Sequence, residues 1–247
     1  MMENTAKNNF CAIPEWYTSL AEWTFPTSFI RLKDEVISYL ASSDEERQNR
    51  GEDTVAGVIA ELEKVMSRIS GAKVVCVDGC FPTDTERFEN KRGAVHSPES
   101  AWRCLCMSEK VRNAARAGEV KHICVRPYRH MTLAREFRLF VVNGKLMAMS
   151  QYNLIRHFYR LDGVKEQYLK LAEEFVSNVA WKIPQERIVI DIYITSSNKI
   201  MVIDLNPWGE PTSPLLLRKW ERDWSEPAGI VLMELPCKVS GNVNVSF

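Results

Sequence analysis

The segment that most restricts the fold is residues 187–206, in which two runs dense in isoleucine and valine, 187–195 and 199–206, flank a short polar turn. Such runs predict an antiparallel hairpin. With Ser197-Asn198 as a two-residue turn, paired positions sum to 395 and Asp191 lies opposite Asp204. Successive strand side chains point to opposite faces. One face then carries Val189, Asp191, Tyr193, Val202, Asp204 and Asn206, and the other carries only apolar side chains, Ile188 through Ile194 and Met201 through Leu205. A slip of one residue would move the carboxylates to the apolar side, so the register is strongly specified.

Two carboxylates facing each other across paired strands repel. A divalent cation removes the conflict, and Asp191, Asp204 and Asn206 form an all-oxygen ligand set suited to Mg²⁺. An arginine partner for each aspartate removes it equally well, and the residues alone leave both arrangements open.

A second hairpin is predicted at 136–142 and 145–151, around Asn143-Gly144, because that dipeptide readily adopts the left-handed turn that matches strand twist. Partner positions sum to 287, which sets Glu136 opposite Gln151, Arg138 opposite Met149 and Phe140 opposite Met147. Arg138 and Glu136 project together, with Arg126 and Arg129 upstream and Lys91 and Arg92 further back. Such a group can neutralise a polyphosphate, or form a solvated basic edge that guards a sheet. Glu136 is a secondary candidate, as support for an arginine or as a metal ligand.

Around these hairpins, helical spacing is read at 33–42, 54–70, 107–117, 164–180 and 215–224, and strands at 73–77 and 120–126. The charged stretch 43–53 reads as an exposed loop, Asp78-Gly79 as an ordinary turn, and the aromatic opening 10–25 as core. Mixed strands and helices with hairpins indicate an α/β (α+β) chain. Lys plus Arg and Asp plus Glu both total 32, so bulk charge excludes a protein that coats nucleic acid. No run approaches the ~18 apolar residues of a membrane span. The seven cysteines have no CxxC pairing and sit in apolar runs, and the polar start 1–9 is no signal peptide, which together predict a reduced, cytoplasmic protein. The four histidines form no metal pattern, and the tryptophans are scattered. Glycine-rich nucleotide loops, GxSxG and HExxH are missing.

Phe25-Pro26-Thr27-Ser28-Phe29, Ser97-Pro98-Glu99-Ser100-Ala101-Trp102, Val125-Arg126-Pro127-Tyr128, Glu136-Phe137-Arg138-Leu139-Phe140, Ala148-Met149-Ser150-Gln151, Ile190-Asp191-Ile192-Tyr193 and Ile203-Asp204-Leu205-Asn206-Pro207-Trp208 occur in that order. Together they resemble the cell division cycle protein 123 family, from about residue 16 to 224. The resemblance implies an ATP-grasp fold, two lobes with mixed and antiparallel sheets enclosing a nucleotide cleft. It implies Mg²⁺ on Asp191, Asp204 and Asn206, and phosphates on Arg92, Arg126 and Arg138, with adenine near Val125, Pro127 and Tyr128. The implied organisation is a flexible tail 1–9, an N-terminal lobe 10–126, a C-terminal ATP-grasp lobe 127–225 and an extension 226–247. The implied role is an ATP-dependent assembly chaperone that meets the gamma subunit of heterotrimeric translation initiation factor 2. The alternative is an ATP-dependent ligase or phosphotransferase acting on a carboxylate and amine, a peptide or an RNA end. The chain departs from the family pattern at Glu99-Ser100, where Lys-Asp is usual, and at Ser213-Pro214, where Asp-Ser is common.

Overall fold

The structure is a computed structural model, and it describes residues 10–48 and 52–235. The tail 1–9, Cys237 and the end of the expected extension lie outside the described residues. The chain divides into two compact units. Among the described residues, unit 1 comprises those from 10 to 131 with Met201–Pro207, and unit 2 comprises Thr132–Ile200 and those from 208 to 235.

In unit 1, a central strand β3 (His122–Pro127) lies between β1 (Ser28–Arg31) and β2 (Lys73–Val77), antiparallel to both. The register sets Val125 against Ser28 on one side and Val75 on the other, so a short apolar strand is buried at the centre of its sheet. Helices α1 (Ile13–Leu20), α2 (Asp34–Ala41), α3 (Asp44–Gln48), α4 (Glu52–Met66), α5 (Glu86–Lys91), α6 (Pro98–Met107) and α7 (Glu109–Arg116) complete the unit. The stripe on α4 buries Val58, Leu62 and Met66 in one cluster with Leu40, Val75, Leu105 and Ile123. The start of α6 is fixed by a capping box: Ser97 Oγ accepts the Ser100 N–H and Ser100 Oγ accepts the Ser97 N–H, with Pro98 in the first turn. Ser100, one of the departures from the family pattern, thus has a local structural use.

The charged stretch 43–53 is not the exposed loop its composition suggests. Part of it is α3, and Arg47 is buried there, donating to the carbonyls of Tyr39, Leu40 and Cys106. Its guanidinium satisfies these three helix-end carbonyls and also donates to Asp44 Oδ1.

In unit 2, strands run β6 (Arg187–Ile194), β4 (Glu136–Val142), β5 (Lys145–Gln151), β8 (Gly229–Val231), with β8 parallel to β5. The β4–β5 turn at Asn143-Gly144 is as expected, both residues having φ near +50 to +70° (48 and 71). The register, however, changes within the hairpin. Val142–Lys145 and Val141–Leu146 sum to 287, but Phe140 pairs with Ala148, Arg138 with Ser150 and Phe137 with Gln151. Met147 is the extra residue of a β-bulge, and its carbonyl accepts the Ala228 N–H that leads into β8. The turn after β6 also differs from the two-residue form. Thr195 N–H donates to the Lys199 carbonyl and Asn198 N–H to the Thr195 carbonyl, with Asn198 at φ 59°. This is a three-residue turn ending in a left-handed asparagine, so its base pairs positions summing to 394 instead of 395.

Helix α8 (Lys165–Val179) turns Tyr168, Ala172, Phe175, Val176 and Val179 inward. The helix expected at 215–224 is reduced to a 3₁₀ turn, Leu215–Leu217, because Leu215 and Arg218 take positive φ (51° and 68°). The tryptophans there are gathered, not scattered. Trp208, Trp220 and Trp224 surround the buried Phe140 at centroid distances of 6.2, 5.6 and 5.8 Å. An aromatic clamp of this kind contributes packing and edge-to-face attraction that a short helix would forgo.

Candidate functional site

Each unit carries part of the predicted residue set. In unit 1 the centre is Arg126, the penultimate residue of strand β3 and only 2% exposed. Its Nε donates to Thr27 Oγ1 at 2.9 Å and its Nη1 to the Ile203 carbonyl at 2.8 Å. The guanidinium lies 5.8 Å from both the Trp16 and Phe81 ring centroids. Its Nη2 is buried and has no hydrogen-bond partner among the described residues. A buried cationic donor without an acceptor is costly, and such a group is suited to an incoming anion. Thr27, Trp16 and Phe81 were not singled out as site residues in the sequence. For Thr27 the signal is the Phe25-Pro26-Thr27 motif, whereas Trp16 reads only as core and Phe81 carries no signal of its own.

Asp204 and Asn206 belong to β7 (Ile200–Pro207), two positions apart and therefore on one side of the strand. Thr24 holds β7 in unit 1: it forms a parallel bridge to Val202, and its hydroxyl donates to the Val202 carbonyl at 2.7 Å. Asp204 is 8% exposed, and its Oδ1 accepts the Leu205 N–H at 3.0 Å. Its charge is felt by three thiols. Burial first and then Asp204 push the Cys11 thiol up to about 12. Burial pushes Cys80 to about 12, with Cys76 and then lesser charges including Asp204 behind it. Cys76 is raised well above the ordinary thiol range, by burial first and then its contact with Cys124, while Arg126 opposes and Asp204 adds. These thiols are held protonated, which makes them structural groups and poor nucleophiles.

The remaining unit 1 candidates differ in character. Val125 is fully buried in the core, while Pro127 and Tyr128 at the strand end are half-buried. Arg92 is exposed, caps α5 in a left-handed conformation (φ 49°) and donates to the Met131 carbonyl at 3.1 Å. Asp78 is more than an ordinary turn residue. It is 4% exposed, with φ 34°, and its Oδ2 accepts the N–H groups of Lys121 and His122 while Oδ1 lies 3.0 Å from His122 Nδ1.

In unit 2 the structure joins Arg138 and Asp191, which are direct partners across β4 and β6. Arg138 Nε and Nη2 donate to Asp191 Oδ1 and Oδ2, each at 2.7 Å, and Nη1 donates to the Ser213 carbonyl at 2.7 Å. Both side chains are 8% exposed. For Asp191 the arginine-paired arrangement is therefore realised. The bidentate pair uses two of about four lone-pair positions on the carboxylate. Glu136 is half-buried and pairs with Tyr193. Among the described residues, no three His, Cys, Asp or Glu side chains are grouped to hold a metal. The predicted set, with two carboxylates and one amide, is not of that composition.

The fold is a mixed α/β one with two sheets, and its strands carry the acidic and basic candidates. A family model described as D123 matches residues 99–226, just over half of the chain, and the chain belongs to that family. The structure resembles that of Cdc123 from Schizosaccharomyces pombe with a TM-score of 0.73 and 20% identity, covering 91% of this chain and 96% of that one. In sequence, the chain is 33% identical over 101 residues to the "Translation initiation factor eIF2 assembly protein" of Danio rerio, covering 40% of this chain and 28% of that protein. It is 39% identical over 85 residues to "Cell division cycle protein 123" of Candida glabrata, covering 34% and 24%. The chain thus matches about a quarter of the length of these curated relatives. Among the described residues, no helix is long and apolar enough to cross a membrane.

Proposed function

We propose that this chain binds ATP together with Mg²⁺ and acts in the cytoplasm as an assembly chaperone for translation initiation factor 2, through its gamma subunit. The observation that carries the nucleotide reading is Arg126, a guanidinium buried in unit 1 with Nη2 awaiting an acceptor. A phosphate oxygen supplies that acceptor, and arginine's planar fork suits it. Asp204 and Asn206 offer a carboxylate and an amide oxygen from one side of β7, the hard oxygen donors Mg²⁺ prefers. Asp191 of unit 2 is kept as a candidate metal ligand, and Arg138 and Arg92 as candidate phosphate contacts. Val125, Pro127 and Tyr128 are assigned to the adenine, the last two by their half-exposed side chains. When bound, Mg²⁺ would offset phosphate charge and orient the oxygens. The assembly role is supported by membership of the D123 family and by the names its relatives carry.

Two variants test the reading by calorimetry with ATP and Mg²⁺. Arg126→Met removes a charged hydrogen bond and should weaken ATP binding about tenfold to a hundredfold. Asp204→Asn should remove the effect of Mg²⁺ on affinity with no loss of thermal stability. Wild-type affinity in both variants refutes the site. Titration with purified gamma subunit, with and without ATP, tests the partner: equal and negligible binding in both cases refutes the chaperone role.

A further inference from the structure

Unit 2 presents an apolar surface on a firmly anchored loop, residues 152–162, after β5. Ile155 is 74% exposed, Tyr159 73%, Leu154 45% and Tyr152 38%. Single exposed apolar residues are ordinary; four within eight positions are not.

The mount beneath them is fully specified. Gln151 is 0% exposed, and its amide Nε2 donates to the carbonyls of Asn153 and Arg156 while its Oε1 accepts the Met233 N–H. Asn153 Nδ2 donates to the Leu133 carbonyl. His157 Nδ1 lies 2.6 Å from the Met233 carbonyl and Nε2 lies 3.0 Å from Asp162 Oδ2. Phe158 and Leu161 are buried, at 9% and 2% exposed. The loop therefore alternates inward anchors with outward apolar side chains, and a loop ordered in advance binds with less entropic loss. Arg156 and Arg160 are exposed beside Ile155 and Tyr159, and the loop's one carboxylate, Asp162, is engaged by His157. With Asp162 so engaged, the loop's remaining charged groups are the two guanidinium groups.

We propose that this loop is a docking surface for a protein segment whose acidic side chains flank an aliphatic or aromatic anchor. Charge complementarity selects the acidic partner, and the exposed Leu154 and Ile155 select an apolar anchor. Nucleic acid is the poorer match, because single-strand binders stack bases on aromatic platforms along a positive groove, whereas half of these side chains are aliphatic and the chain has net charge zero.

The test displays a random short-peptide library to the full chain and to an Ile155→Ser/Tyr159→Ser variant. A peptide enriched on the wild type is then titrated by fluorescence anisotropy. Enrichment of Asp and Glu around Leu, Ile or Phe is expected, with affinity falling about thirtyfold or more in Ile155→Ser. Arg156→Glu/Arg160→Glu should lose binding, and added salt should weaken it. Equal enrichment on both proteins, enrichment of basic or neutral peptides, or tighter binding of a single-stranded RNA oligonucleotide overturns the proposal. So does self-association of the chain that Ile155→Ser abolishes, which would assign the surface to a second copy. All four substituted positions are exposed, and thermal melts verify that each variant folds.

Discussion

Replacing Asp191 with alanine removes the acceptor of two 2.7 Å bonds from a guanidinium that is only 8% exposed on its side chain. Breaking a buried ion pair by deleting one partner costs about 3–5 kcal/mol, mostly because the surviving charge keeps its desolvation penalty. Arg138 retains the Ser213 carbonyl, which accepts from Nη1 but cannot neutralise the charge. With a urea slope of about 1–3 kcal/mol/M, the unit 2 midpoint should fall by about 1 M or more. Replacing both partners, as Arg138→Met with Asp191→Leu, should leave stability within about 1 kcal/mol of wild type, since apolar groups of similar volume carry no such penalty. Tryptophan fluorescence is the assay, because Trp208, Trp220 and Trp224 pack on Phe140 in the same unit. The cycle isolates the pair from the packing lost at each position. An Asp191→Ala midpoint indistinguishable from wild type, or a double variant as unstable as the sum of the singles, would refute the reasoning.

Gly144 has φ 71°, and a Cβ placed there would lie 3.0 Å from the Ala180 Cβ, so Gly144→Ala should destabilise unit 2 by about 1–2 kcal/mol in the same denaturation assay. His157 is held above its ordinary value near 6.5, by the Met233 carbonyl first and then by Asp162, with the exposed Arg156 and Arg160 nearby in sequence. A raised folded-state value contributes stability below the ordinary imidazole range and loses it as pH rises through the folded value. Amide exchange in residues 153–162 should therefore quicken, beyond its intrinsic pH dependence, as pH climbs above 6.5; increased protection would contradict this.

Strand reading succeeded where one signal dominated. The isoleucine runs of β6 and β7 and the Asn143-Gly144 turn located their strands from local residues alone. What escaped was decided by tertiary contacts. Nothing in Leu146-Met147-Ala148 announces a bulge, because the extra residue is fixed by pairing with Ala228, some eighty positions later. The spacing of Leu216, Trp220 and Trp224 fits a helix face equally well, but the rings close on Phe140 from irregular backbone. Arg47 looked solvated by its charged neighbours, although the carbonyls it satisfies come from Tyr39, Leu40 and the distant Cys106. At the site, the alternation of β4 and β6 identified Arg138 and Asp191 separately, but whether the aspartate meets metal or arginine depends on which side chain lies across the strand. The open donor of Arg126 was beyond sequence altogether, since it depends on what Thr27 and Ile203 leave unsatisfied.

The central claim is that the chain binds ATP with Mg²⁺, and a calorimetric titration of the wild-type protein with ATP, with and without Mg²⁺, tests it most directly. One saturable site per chain, with affinity that falls when Mg²⁺ is withheld, is the predicted result. No binding in the presence of Mg²⁺, or binding that Mg²⁺ leaves unchanged, would contradict it.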